Sequence, residues 1–105
     1  MPFDNSPAEL PAIDDLDEVG RTLMRAADIV DVRWCQDSYG VPGGPRCAAG
    51  ALLEVTGGFP GSVWVSARDR LSRIVGNPIS RWNDTKGRTA AEVSAAMRAA
   101  ARTRP

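Results

Sequence analysis

The amino-acid sequence predicts an all-α fold: a compact single domain of about four short helices, residues 14–105, behind an extended N-terminal arm, residues 1–13. Three observations predict it. Apolar residues recur at three- and four-residue spacing in four separate stretches. Clusters of glycine, proline and asparagine divide those stretches from one another. Thr89-Ala90-Ala91-Glu92 has the spacing of a capping box just ahead of the last of them. A chain of 105 residues is long enough to close one helical core without a metal or disulfide, and too short for two cores.

The elements follow in order. Pro2, Pro7 and Pro11 interrupt any sustained period before residue 14, which gives the arm, with Phe3 and Leu10 as its anchors. Asp14 or Asp15 is the expected N-cap of a first helix over residues 15–33. Asp17 and Glu18 then lie in the first turn, where the helix dipole favours acids. Leu16, Val19, Leu23, Ala26, Ala27 and Val30 form its apolar face, Gly20 is a mild cost, and Trp34 ends it on the buried side. A Pro/Gly loop runs from Cys35 to Arg46. Cys47 begins a short second helix with Ala48, Ala51, Leu52 and Val55 on one face, stopped by Gly57 and Gly58.

Ser62 is the expected cap of a third helix over residues 63–75, with Trp64, Ala67, Leu71 and Ile74 inward. Val63–Val65 also suits a short strand, but the period favours helix. Gly76-Asn77-Pro78 ends that helix, and residues 81–89 read as a loop anchored by Trp82. Ala90, Val93, Met97 and Ala100 line the final helix, which carries Arg98, Arg102 and Arg104 at its C-terminal end.

Composition narrows the chemistry. The chain contains no histidine, which removes Ser-His-Asp and Cys-His catalysis and histidine ligation of metals. Two cysteines alone do not make a structural zinc site, so no metal and no cofactor are expected. No apolar run approaches the roughly 20 residues of a membrane span, and MPFDNSPAEL lacks the features of a secretory signal. A cytoplasmic location is the default expectation. Net charge is zero, yet eight acids stand in residues 1–31 and nine bases in residues 66–105. The two ends are expected either to face each other in the fold or simply to carry solvated faces; a nucleic-acid-binding regulator using the basic third is the less favoured reading.

Three stretches carry candidate chemistry. Cys35 and Cys47 are not a redox C-x-x-C pair, and a disulfide is disfavoured in the cytosol. At a helix start, free N–H groups and the neighbouring Arg46 would lower the pKa of Cys47, although a buried structural role is the commoner fate of a cysteine. The loop GVPGGP lacks the lysine and hydroxyl residue of a phosphate-binding P-loop, which leaves only a generic anion site at Arg46. In Arg81-Trp82-Asn83-Asp84-Thr85-Lys86-Gly87-Arg88-Thr89, Asp84 is expected to bond loop N–H groups or to pair with Arg88. This stretch lacks the spacing of a calcium loop.

These residues resemble a family of small bacterial and phage proteins, common in actinobacteria, that carry a domain of unknown function. The resemblance rests on a Trp-x-Gln start (Trp34, Gln36) and a Cys-x-x-Gly-Ala-Leu segment (Cys47, Gly50, Ala51, Leu52). It is completed by a Trp-Asn-Asp-x-x-x-Arg-Thr-x-x-Glu-Val end (Trp82, Asn83, Asp84, Arg88, Thr89, Glu92, Val93), which is its specific part. It spans roughly residues 20–101. Glycine often follows the glutamine in that family, whereas this chain has Asp37. The resemblance implies one domain in which the Cys47 and Trp82 regions belong together, and implies no activity, cofactor or partner.

With no complete catalytic constellation and no catalytic residue to name, the leading expectation is a small non-enzymatic interaction or regulatory module, acting through a helical surface on a protein partner or on a second copy of itself. The alternative is a small-molecule or anion-binding protein, with enzymatic activity as its extreme form. Its pocket would be built from Trp34, Gln36, Arg46, Cys47, Trp82, Asn83, Asp84 and Arg88.

Overall fold

A computed structural model describes residues 15–103; the expected arm over residues 1–13 lies outside them. Among the described residues there are five helices and no strand. Leu16 joins the core just ahead of the first helix, and α1 spans Glu18–Arg33. Its cap is Asp17 rather than the expected Asp15, and the other expected cap, Asp14, lies outside the described residues. The Asp17 carboxylate accepts the Gly20 N–H at 2.8 Å and both guanidinium nitrogens of Arg70 at 3.1 and 2.6 Å. Leu23, Ala26, Ala27 and Val30 are fully buried along the predicted face. Gly20 is more than a cost to the helix. A Cβ there would stand 2.7 Å from the Ala101 carbonyl, so glycine lets α1 and the last helix touch at backbone distance.

α2 spans Ala48–Val55, with Cys47 as N-cap, its sulfur accepting the Gly50 N–H at 3.3 Å. Gly57 and Gly58 stop it, as their positive φ permits. α3 spans Ser62–Val75, so Val63–Val65 is helix and not strand, and the cap falls on Gly61 one residue before the expected Ser62. Trp64, Ala67 and Leu71 are buried. Ile74 faces solvent, a departure from the expected pattern. Its place on the core side is taken by Val75, which lies four residues after Leu71 and keeps the inward stripe.

The stretch expected to be all loop contains a one-turn helix, α4, at Ile79–Asn83. Five residues are too few to show a period, but Ile79 and Asn83 sit four apart and both are buried. α5 spans Ala90–Ala101 behind a complete capping box: Thr89 Oγ1 accepts the Glu92 N–H at 3.2 Å, and Glu92 Oε1 accepts the Thr89 N–H at 3.0 Å. Val93, Met97 and Ala100 are fully buried.

All five helices contribute to one core cluster, in which α1 lies along α5. Among the described residues, acids at and along α1 pair with bases of the later part of the chain. Arg98 on α5 reaches Asp28 at 2.8 Å and Asp31 at 2.7 Å on α1, and the buried Arg70 of α3 holds Asp17. No helix among the described residues is long and apolar enough to cross a membrane.

Candidate functional site

Where α1 ends, the backbone turns extended at Trp34 and runs beside Arg46 as an isolated parallel β-bridge. The Cys35 N–H donates to the Arg46 carbonyl at 3.1 Å, and the Arg46 N–H donates to the Arg33 carbonyl at 2.8 Å. The intervening loop is thereby closed at its base. Its middle is pinned as well: a Cβ on Gly50 would stand 2.1 Å from the Tyr39 carbonyl oxygen, so the loop backbone lies directly on α2. Tyr39 and Val41 are left 48% and 59% exposed on the outer side.

Asn83 sits beneath this bridge, 0% exposed, with every hydrogen-bonding position of its amide in use. Its Oδ1 accepts the Trp34 indole N–H at 2.7 Å and the Ala48 N–H at 3.0 Å. Its Nδ2 donates to the Cys35 carbonyl at 3.1 Å and to Asp84 Oδ1 at 2.9 Å. Gln36 adds a clamp from outside, its Nε2 donating to the carbonyls of Asn83 and Thr85, both at 3.0 Å. Asp84 Oδ1 also accepts the Asp37 N–H at 2.8 Å, and Asp37 carries a left-handed φ of 67°. The bond to a loop N–H is one of the two roles expected for Asp84. Pairing with Arg88 is not formed, because Asp84 turns toward Asn83 and Asp37.

Arg88 instead stacks over the Trp82 ring at 4.3 Å, donates from Nε to the Trp82 carbonyl at 3.0 Å, and lies 3.7 Å from Glu92. Arg46 is also directed elsewhere. Its Nε lies 3.1 Å from Glu54 Oε1, and one terminal nitrogen donates to the Tyr39 carbonyl at 3.2 Å. An anion site at Arg46 would have to displace Glu54.

Cys47 is 3% exposed, and burial pushes its thiol up from the ordinary range. The N–H groups of Gly50 and Ala49 pull the other way, as a helix start should, but desolvation outweighs them. Cys35 is half-buried, and its thiol too is raised, first by burial and then by the charge of Asp84. Neither is an activated nucleophile in this arrangement. Among the described residues no group of three or more cysteine, aspartate or glutamate side chains is placed to hold a metal ion.

A profile described as a family of unknown function (DUF6197) matches residues 15–103, the whole of the described chain. The chain belongs to DUF6197. No curated protein and no solved structure shows a significant match to it. In this DUF6197 protein the Trp-x-Gln, Cys-x-x-Gly-Ala-Leu and Trp-Asn-Asp segments converge on one polar knot. Trp34, Gln36, Asn83 and Asp84 meet directly, and Cys47 precedes the amide that Asn83 holds. Arg46, Trp82 and Arg88 point away from the knot into contacts of their own.

Two features of the DUF6197 chain escaped the reading of its sequence. Glu54 gathers Arg33 at 2.7 Å, Arg46, and the Gly43 N–H at 3.3 Å, which ties the loop to α1 and α2 together. Its only sequence signal is an acid near a helix end with an arginine on either side of the preceding loop. The second is a cleft of about 270 Å³ walled by Tyr39, Trp64, Arg68, Asp69, Asn77 and Pro78. With Ala49 of α2, its residues come from four separated segments and share no motif.

Proposed function

We propose that the protein is a small non-enzymatic interaction module that presents the rigid 37–45 loop, with Tyr39 and Val41, to a protein partner. The observation that carries this reading is the inward commitment of the polar knot. The side chains of Trp34, Gln36, Asn83 and Asp84 hydrogen-bond one another or nearby backbone, and in doing so they fix the loop. A ligand pocket at those residues would need the same groups free. Outward, the loop offers two exposed apolar side chains beside a cleft that Tyr39 itself helps to wall. Aromatic anchors on a pre-ordered backbone are what a binding surface requires, since little entropy remains to be lost on association.

The pairing of Arg98, Arg70 and Arg88 with acids inside the fold weighs against a nucleic-acid surface in the basic third. We place this activity in the cytoplasm. We infer the same arrangement for the small actinobacterial and phage proteins that share the three segments.

The test is a pull-down of the full chain alongside native mass spectrometry. One stable partner, or a stable homo-oligomer, is the expected result. Replacing Tyr39 and Val41 together by serine should abolish it while leaving the unfolding midpoint within a few degrees. A strict monomer that retains no partner would refute the proposal. So would an association indifferent to the double substitution.

A further inference from the structure

The β-bridge at the base of the loop has a chemical implication that sequence spacing hides. Cys35 and Cys47, with eleven residues between them, are both free thiols. The bonds Arg46 N–H to Arg33 carbonyl and Cys35 N–H to Arg46 carbonyl place Trp34 opposite Arg46 in parallel register. The bridge is a single pair; carrying its register one residue further would set Cys35 opposite Cys47. Neighbouring strands run about 4.8 Å apart, and residues in register direct their side chains to the same face of a parallel pair. That spacing lies within the Cα separation of about 4.4–6.8 Å that a disulfide spans. Just past this pair the Asn83 amide takes the place of the next ladder bond, accepting the Ala48 N–H and donating to the Cys35 carbonyl, so it spans the two segments where they begin to part. Cys35 is also close enough to act on Cys47 electrostatically, being among the groups that raise it.

We propose that Cys35 and Cys47 form a reversible disulfide that closes the 36–46 loop at its base. The oxidant is a low-molecular-weight disulfide. Cys35, the half-buried member, reacts first: its thiolate attacks the small disulfide, displaces one thiolate from it and forms a mixed disulfide. The Cys47 thiolate then attacks the Cys35 sulfur and expels the second small thiolate. Two protein thiols lose two electrons, the small disulfide gains them, and the two thiol protons end on the released thiols. Because only thiolates attack and burial holds both groups protonated, closure accelerates as the pH becomes alkaline. A strong reductant reopens it.

The experiment incubates the native full chain with oxidised glutathione. Intact mass should fall by two hydrogens, with no glutathione retained and both thiols lost to alkylation. Tryptic cleavage after Arg33, Arg46 and Arg68 should yield residues 34–46 linked to residues 47–68, separated again by reductant. The C47S variant should stop at a stable glutathione adduct on Cys35, and C35S should stay largely unmodified. A stable adduct on Cys35 in the wild-type chain, a disulfide between two chains, or closure only after denaturation would each overturn the proposal. These readouts do not depend on the interaction reading, so either idea can fail alone.

Discussion

Asn83 has two acceptor positions and two N–H bonds, and all four are matched by groups from other parts of the chain or by its neighbour Asp84. Truncation to alanine would leave the Trp34 indole N–H, the Ala48 N–H and the Cys35 carbonyl without their partner. Each unsatisfied buried group costs about 1–3 kcal/mol, and entering water offsets part of that. The N83A variant is therefore expected to lose about 3 kcal/mol, read from urea denaturation. A loss below about 1 kcal/mol would show that the knot contributes little. Asp37 gives a second expectation at this scale. Its φ of 67° is a conformation that glycine adopts freely, and its own N–H is the part that Asp84 holds. D37G keeps that bond and should be at least as stable as wild type, while D37A should fall below D37G by about 1 kcal/mol. Equal midpoints for the two variants would remove backbone conformation as the reason glycine suits this place.

At the scale of elements, the closest approach is between α1 and α5. A Cβ on Gly20 would meet the Ala101 carbonyl at 2.7 Å and the Asp17 carboxylate at 2.9 Å. Alanine would raise the intrinsic helix propensity of α1 by about 1 kcal/mol. The clash is with backbone and with the helix's own cap, neither of which yields cheaply, and overpacking of this kind costs about 1–3 kcal/mol. G20A is expected to lower the thermal midpoint, with the backbone amides of both helices shifting in a two-dimensional NMR spectrum. A rise in midpoint would mean that propensity wins and that the helices part without cost.

For the whole molecule, acid stability follows from ion pairs that join distant segments. A hydrogen bond from Arg33 holds Glu54 below the usual carboxylate range, and one from Arg98, then one from Ser94, holds Asp31 there. A depressed folded pKa means that the stabilising contribution is complete above the unfolded value of about 4 and is lost as pH falls through the folded one. No histidine titrates above that window. The thermal midpoint should be flat from neutral pH to about 5 and then decline. E54Q should be less stable at neutral pH and show a shallower acid limb. Both carboxylates are partly exposed, so solvent screening keeps the effect modest. An acid limb unchanged in E54Q would assign the decline to other carboxylates.

How much of this was legible in the sequence depended on distance along the chain. The Thr89–Glu92 box, the glycine stops and the apolar period of α1 are encoded within a few residues, and the all-helical fold follows from them. The convergence of Cys47 with the Trp-Asn-Asp segment came from resemblance alone, since the partners of Asn83 lie up to 49 residues away. The start of α1 was misplaced because three nearby aspartates all look like caps in sequence, and the contact of Asp17 with Arg70, 53 residues on, is invisible there. The one-turn α4 had no period to display.

The Asn83 knot also bears on how this core keeps its alignment. Among the described residues, eight of the eighteen buried apolar ones are alanines, on α1, α2, α3 and α5. Methyl-sized side chains interlock weakly, so surfaces made of them slide past one another with little penalty. A fully matched amide tolerates no such slip: a shift of one residue would strand several donors and acceptors at once. Asn83 thus acts as an index mark, selecting one alignment of the helix ends among packings that the alanines alone would leave nearly equal in energy.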